Sequence, residues 1–473
     1  MTRSVLIAVG VAAAAIAAVF LYLTLSREAE YRALVAEGDR ALGADQTFPA
    51  IEAFTGAIVL KPDSMLAYLK RGEAYRRQGE LSSALRDLRK AAELDPMAVK
   101  PLEGIGDINF SMDRYANAAE SYEAYIRLDE RSPKVLYKLA LSRFRLGNRS
   151  DAGAQVEQAV VRLKEAVALN DRSAEAFYLL GVCQGQLGRT AEAVEALQRA
   201  VAVSGTLLPA RQELVRLLLS LKRDQEAIDQ LEALAALDQA NVDHLIQAGL
   251  IYARMGRTDL AVTELGKAVQ RAQRTPAQPR VFEALGRVWL EAAEVRRDRI
   301  ALNKAFEALD RSVSDPRATS QGLTLYGRAL LLTGDPAGAQ QVFEQATQKT
   351  PVDPDAFRQM GLLALRRGDL ALARDSMVRC VALTTDARHL RELPGQIGDL
   401  CLRLDQPGEA TKWLKRAAEA SGDDPDSIAR LVTAQIRAGD RQGAAASIEQ
   451  GLKKSPANKT LLALHRQLGV GSN

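Results

Sequence analysis

The sequence is poor in the side chains that carry most metal and redox chemistry. Its 473 residues include three cysteines and three histidines. Cys183, Cys380 and Cys401 form no CxxC pair, and His244, His389 and His465 lie far apart, so neither a zinc site nor a thiol-redox centre has its ligands. Glycine-rich phosphate loops, HExxH helices, nucleophile elbows and deaminase-type zinc motifs are missing too. An enzyme is therefore not expected, nor a metal or cofactor. No charge sign dominates: 63 basic against 59 acidic side chains leave +4, too little for a protein dedicated to nucleic acid. Hydrophobic content of 47% and charged content of 26% exclude a disordered chain, a collagen and a polytopic membrane protein.

Long apolar runs are equally scarce, and the exception opens the chain. Residues 5–25 read VLIAVGVAAAAIAAVFLYLTL, with no charge. As a helix they would span about 31 Å, one bilayer core. Small residues sit in the middle of the run and large ones follow, which argues for a retained anchor over a cleaved signal. Arg3 precedes it; Arg27, Arg32 and Arg40 follow, interleaved with Glu28, Glu30, Glu37 and Asp39. This arrangement is read as a signal-anchor that leaves the bulk of the chain outside the cytoplasm. Arginine outnumbers lysine 47 to 16, the bias of a GC-rich bacterial genome. The expected location is thus a bacterial inner membrane, single-pass, with the rest on the periplasmic side.

Beyond this run the sequence repeats itself. Alanine recurs at Ala50, Ala84, Ala118 and Ala152, then at Ala193, Ala227, Ala261, Ala305, Ala339, Ala373, Ala410 and Ala444, mostly at intervals of 34. Upstream of each stands a second small position, glycine at Gly38, Gly72, Gly106, Gly181, Gly249, Gly286, Gly327, Gly361 and Gly398. Gly79, Gly147, Gly188, Gly256, Gly334, Gly368 and Gly439 come seven residues later, suited to stopping a helix in the left-handed conformation. Four residues after each alanine comes a large apolar group such as Phe54, Leu88, Tyr122 or Phe343. Small residues at a helix crossing let two axes approach while larger ones fill the flanks. Neither helix of such a pair buries its stripe alone, so successive pairs must stack.

This pattern resembles the tetratricopeptide repeat. Residues 65–98 match it with Tyr68, Gly72, Tyr75, Gly79, Ala84, Leu88, Ala91 and Pro96, and residues 320–353 with Gly327, Gly334, Ala339, Phe343, Ala346 and Pro351. The resemblance implies an all-α, right-handed solenoid of about twelve helix-turn-helix repeats, preceded here by one transmembrane helix. The expected organisation is an anchor over 1–27 and repeats one to seven over 31–275, with a long fourth repeat at 133–173. Repeats eight to ten follow over 276–388, with a long eighth at 279–319, then repeats eleven and twelve over 389–458 and a capping helix and tail over 459–473. Bends are expected around Arg274–Pro279 and at Pro394-Gly395.

The resemblance further implies that the first helices line a concave groove through the second, fifth, ninth, twelfth and thirteenth positions of each repeat. Here those positions include Arg76, Arg77, Phe110, Tyr137, Phe144, Tyr178, Arg216, Leu250, Arg287, Leu290 and Arg328. Arg77, Arg145, Arg254, Arg366, Arg403 and Arg437 fall in last turns, where the helix dipole alone favours a cation. Arg216, Arg287 and Arg328 stand mid-helix without that explanation. Arginine pairs with carboxylates in a bidentate fashion and aromatic rings offer contact area, so an extended acidic or apolar peptide is the expected ligand. Some members of the family hold a chaperone's terminal carboxylate with asparagine at the ninth position, which no repeat here carries. The reading is an anchored scaffold that binds other proteins in assembly of an envelope complex. The alternative is an accessory subunit binding a polysaccharide or other polyanion for export.

Overall fold

A computed structural model of the chain describes residues 2–147, 152–273 and 275–469, with the backbone alone at 2–8, 10, 12 and 152. Every regular element among them is a helix. The chain divides into two compact units, Met1–Gln230 and Leu231–Asn473. The first contains α1 (Thr2–Gly43), α2 (Thr47–Leu60), α3 (Met65–Gln78), α4 (Leu81–Leu94), α5 (Val99–Ser111) and α6 (Tyr115–Leu128). It continues with α7 (Pro133–Gly147), α8 (Ala152–Leu169), α9 (Ala174–Gln186), α10 (Thr190–Val203) and α11 (Leu208–Ser220). Helix α12 (Asp224–Leu237) contains the boundary. The second unit holds α13 (Asp243–Arg254), α14 (Thr258–Ala272), α15 (Gln278–Arg296), α16 (Arg299–Val313), α17 (Ser320–Thr333) and α18 (Pro336–Ala346). Then come α19 (Pro354–Arg367), α20 (Leu370–Leu383), α21 (Ala387–Arg403), α22 (Pro407–Ala420), α23 (Pro425–Arg437), α24 (Arg441–Lys454) and α25 (Lys459–Gln467).

From α1 to α11 in the first unit and from α13 to α25 in the second, every helix packs on the next along the chain, giving an all-α solenoid in each. The repeated alanines with described side chains are fully buried, and so are the large residues four positions on, from Phe54 to Ile448. The glycine faces that larger residue and, at Gly72, Gly181, Gly249 and Gly361, the backbone carbonyl of the alanine as well. A methyl group at Gly181 would lie 2.6 Å from Leu197, and one at Gly249 would lie 2.7 Å from Leu265. At Gly38, Gly106 and Gly327 it would drive into the rings of Phe54, Tyr122 and Phe343. Glycine is thus the pocket, and the large residue of the second helix is what fills it.

The turn between paired helices uses the left-handed conformation at one fixed register. Glycine supplies it at Gly79, Gly188, Gly256, Gly334, Gly368 and Gly439, and Asp45, Asp113, Lys222 and Asp405 adopt it at the equivalent positions. In α15 that position, Ala293, stays helical and buried; the left-handed residue moves on to Arg297, giving a helix of 19 residues. Helix α8 has 18 residues. Helix α21 runs through Pro394 without a break, with its three added residues at its start. Of the other expected bend, Arg274 lies outside the described residues, as do residues 470–473 of the tail.

Helix α1 is continuous from the apolar run into the first repeat. Val9, Val11, Ile16, Val19, Phe20, Leu21, Tyr22, Leu23 and Leu25 are each more than half exposed, whereas Tyr31, Ala41 and Leu42 are buried against α2 and α3. Among the described residues no helix is long and apolar enough to cross a membrane. The transmembrane expectation for 5–25 therefore gains no support, and the side chains of residues 5–8, 10 and 12 of that span lie outside the described residues.

Candidate functional site

Stacking brings first helices of successive repeats together: α1, α3 and α5, then α7 and α9, in the first unit, and α13, α15, α17 and α19 in the second. Among the described residues no two second helices meet to that extent, so each unit presents its first helices as the inner layer.

In the first unit, several expected groove residues are committed to the fold. Arg77 donates from Nη1 to the carbonyl of Leu42 at 3.1 Å and from Nη2 to Glu73 at 3.4 Å, closing the end of α1. Phe110 is half-buried against the Tyr115 ring, with centroids 5.2 Å apart. Phe144 packs on the cluster around Val156, Leu163 and Leu179. Arg216 is exposed and forks onto Glu213 of its own helix. Arg76 is exposed at the end of α3. Tyr137 and Tyr178 remain half-buried on the inner layer, and burial pushes both phenols above the ordinary range. Tyr137 lines a small cavity of about 290 Å³ with Lys134 and Glu175.

The sequence reading missed the carboxylates of this unit. Glu103 and Asp107 occupy the fifth and ninth positions of α5, where Lys138 donates to Glu103 at 2.8 Å and to Asp107 at 2.6 Å. Lys134 reaches Glu103 at 2.9 Å, and the Tyr122 hydroxyl donates to Asp107 at 2.6 Å. Burial pushes the Glu103 carboxyl up, but hydrogen bonds from Lys138 and Lys134 outweigh it and hold the group below the usual carboxylate range. At this place in the first unit lysines and carboxylates neutralise one another. The cross-repeat partners lie 31 to 35 residues apart, one repeat away, and that spacing is the signal that would have revealed them.

In the second unit the inner layer opens into two adjoining clefts of about 590 and 470 Å³. The first is walled by Ile246 and Leu250 of α13, by Arg280, Glu283 and Arg287 of α15, and by the segment leading into α17. The second is walled by Arg287, Gln321, Thr324, Arg328, Asp355 and His389. Of the expected residues, Leu250, Arg287 and Arg328 are brought to this one surface; Leu290 is buried in the core. Arg328 is not free, because it holds Glu294 of the extended α15 through contacts of 2.8 and 2.7 Å. Burial pushes the Glu283 carboxyl above its ordinary value, against the opposing effects of the Thr319 hydroxyl, Arg287 and Arg280. Among the described residues no group of histidine, cysteine and carboxylate side chains is placed to hold a metal ion.

Sequence profiles described as "Tetratricopeptide repeat" match residues 65–98, 104–164, 137–206 and 325–379. The chain is 33% identical over 121 residues to the small glutamine-rich tetratricopeptide repeat-containing protein 2 of Mycosarcoma maydis, covering 26% of this chain and 34% of that one. It is 29% identical over 134 residues to the Hsp70-Hsp90 organizing protein 2 of Arabidopsis thaliana, covering 27% of this chain and 24% of the other. The chain thus spans about a third or less of these curated relatives. Among solved structures it is similar to YrrB, a TPR protein with an unusual peptide-binding site, at 24% identity and a TM-score of 0.29, covering 48% of this chain and 95% of that one. Over the matched segments the chain is similar to the tetratricopeptide repeat, and the helical pairs outside them carry the same crossing glycines.

Proposed function

We propose that the protein is a scaffold for protein–protein interaction, holding extended segments of its partners along the first helices. One observation carries this reading: second, fifth and ninth positions of successive first helices in the second unit wall two clefts that share Arg287, Gln321 and Asp353. A surface assembled from equivalent positions of successive repeats suits an extended chain, whose contacts recur along its length. The relatives named for organizing Hsp70 and Hsp90 are in keeping with a chain that gathers other proteins. The groove here differs in detail, since its ninth positions carry Arg216, Leu250, Arg287 and Arg328 rather than asparagine. Affinity capture with the full chain, followed by mapping of bound segments, tests the reading; partners that contact only the second helices would overturn it.

The finer proposal is an envelope scaffold, with the exposed apolar start of α1 resting in a bacterial inner membrane and the repeats on the periplasmic side. The uncovered side chains from Val9 to Leu25 support it, because water is a costly neighbour for so much apolar surface. Carbonate extraction and protease access in sealed cells test it. Recovery of the chain in the soluble fraction, or its protection from external protease in spheroplasts, would sink it.

A further inference from the structure

The cations of the second unit's clefts are not equivalent, and what distinguishes them deepens the peptide-scaffold reading on which this inference rests. Arg280 pairs with Asp243 at 3.2 Å, Arg317 with Asp315 at 2.7 Å and Arg328 with Glu294 at 2.7 Å. Lys349 donates to the Pro316 carbonyl at 3.4 Å. Arg287, half-buried and common to both clefts, has no hydrogen-bond or ion-pair partner among the described residues.

The carboxylate best placed to neutralise it is Glu283, one turn earlier on α15. That carboxylate is engaged elsewhere: the Thr319 hydroxyl donates to Glu283 Oε2 at 2.5 Å and also caps α17 by accepting from the Gly322 amide at 2.9 Å. Gly322 leaves the room this needs, since a methyl group there would lie 3.1 Å from the same oxygen. The packing of α15 against α17 therefore holds Glu283 on the α17 start and leaves the Arg287 guanidinium open. A partly desolvated guanidinium to which no carboxylate is hydrogen-bonded is stabilised by one that reaches it in a bidentate geometry.

We propose that Arg287 receives the side-chain carboxylate of an internal Asp or Glu in an extended partner peptide. The residue is internal rather than terminal because open volume continues on both sides of the guanidinium, towards Leu250 and Ile246 in one cleft and towards Leu325 in the other. A single carboxylate fits better than a run of them. Glu291, Asp353 and Asp386 line the second cleft and repel a polyanion threaded through it.

The test is selection of short peptides from a displayed random library on the full chain, followed by fluorescence anisotropy with the selected peptides. The expected peptides carry an internal acidic residue between apolar ones. Changing that residue to its amide, or Arg287→Gln in the protein, weakens binding about tenfold, the loss of one charge-assisted contact. Combining the two changes weakens it no further, because both remove the same pair. Glu283→Gln, which removes a carboxylate that competes for Arg287, tightens binding. Arg287→Lys serves if Arg287→Gln does not fold, and loses several-fold because a point charge cannot fork. Selected peptides that bind Arg287→Gln as tightly as the parent would overturn the role of Arg287 while leaving the scaffold reading standing. Failure to select any peptide, with retention of a sulfated oligosaccharide instead, would overturn both.

Discussion

Lys222 takes the left-handed backbone conformation, with φ of 57°, where most repeats use glycine. A side chain there costs about 1 kcal/mol. Lys222→Gly is therefore expected to stabilise the protein by ~0.5–1 kcal/mol, read as a higher urea midpoint with an unchanged slope. The opposite change at the crossing glycines is expected to harm. Gly327→Ala gains helix propensity but pushes a methyl group into the fully buried Phe343 ring, so a net loss of about 1–3 kcal/mol is expected on chemical denaturation. Asp87 offers a third test. Its carboxylate is almost fully buried and accepts from Arg71 Nε at 2.6 Å and Nη2 at 2.9 Å. Asp87→Ala strands the arginine and is expected to cost about 3 kcal/mol, while replacing both partners with apolar residues of similar size restores most of it.

Among the helices, the clearest asymmetry is in how they begin. In the second unit Asp298, Asp335, Asp353, Asp369, Asp386, Asp424 and Asp440 each accept a backbone hydrogen bond at a helix start. In the first unit Ser64 and Ser173 cap α3 and α9, but Glu80, Arg114 and Arg189 occupy such positions without a side-chain bond, as do Val242, Arg257, Ala277 and Gln406 in the second. Asp369→Ala is expected to lower stability by about 1 kcal/mol and Glu80→Ala to change it little, a contrast that thermal unfolding resolves. The Gly-Asp pairs at 334–335, 368–369 and 439–440 show why these starts were legible in retrospect: one residue ends a helix in the left-handed region and the next caps its successor. The extension of α15 was legible from the replacement of the turn glycine by Ala292-Ala293. Its pairing of Glu294 with Arg328 was not, because that contact depends on how far α15 projects beside α17.

Within each unit every repeat is stabilised by its neighbours, so the last one depends on what covers it. Leu461 of α25 is fully buried, beside Gly451 and within the cluster that holds Ile428 and Ile448. Leu461→Asp is expected to destabilise α23 to α25 by several kcal/mol while leaving the first unit intact, which hydrogen exchange resolved along the chain would show. Uniform loss of protection along the whole chain would contradict a stack held by nearest neighbours.

The sequence by itself determined the helical pairs, their register and their buried face, because small, large and turn-forming side chains recur at fixed separations and each acts through local geometry. Which arginines are available was decided by tertiary structure. Arg216 and Arg328 share the ninth position with Arg287, yet the first forks onto Glu213 of its own helix and the second is held by Glu294, 34 residues away. Arg287 stays open because Thr319, from the next repeat, holds the carboxylate that would otherwise neutralise it. A spacing rule places a side chain on a surface; only the packing of one repeat against the next decides what that side chain already touches.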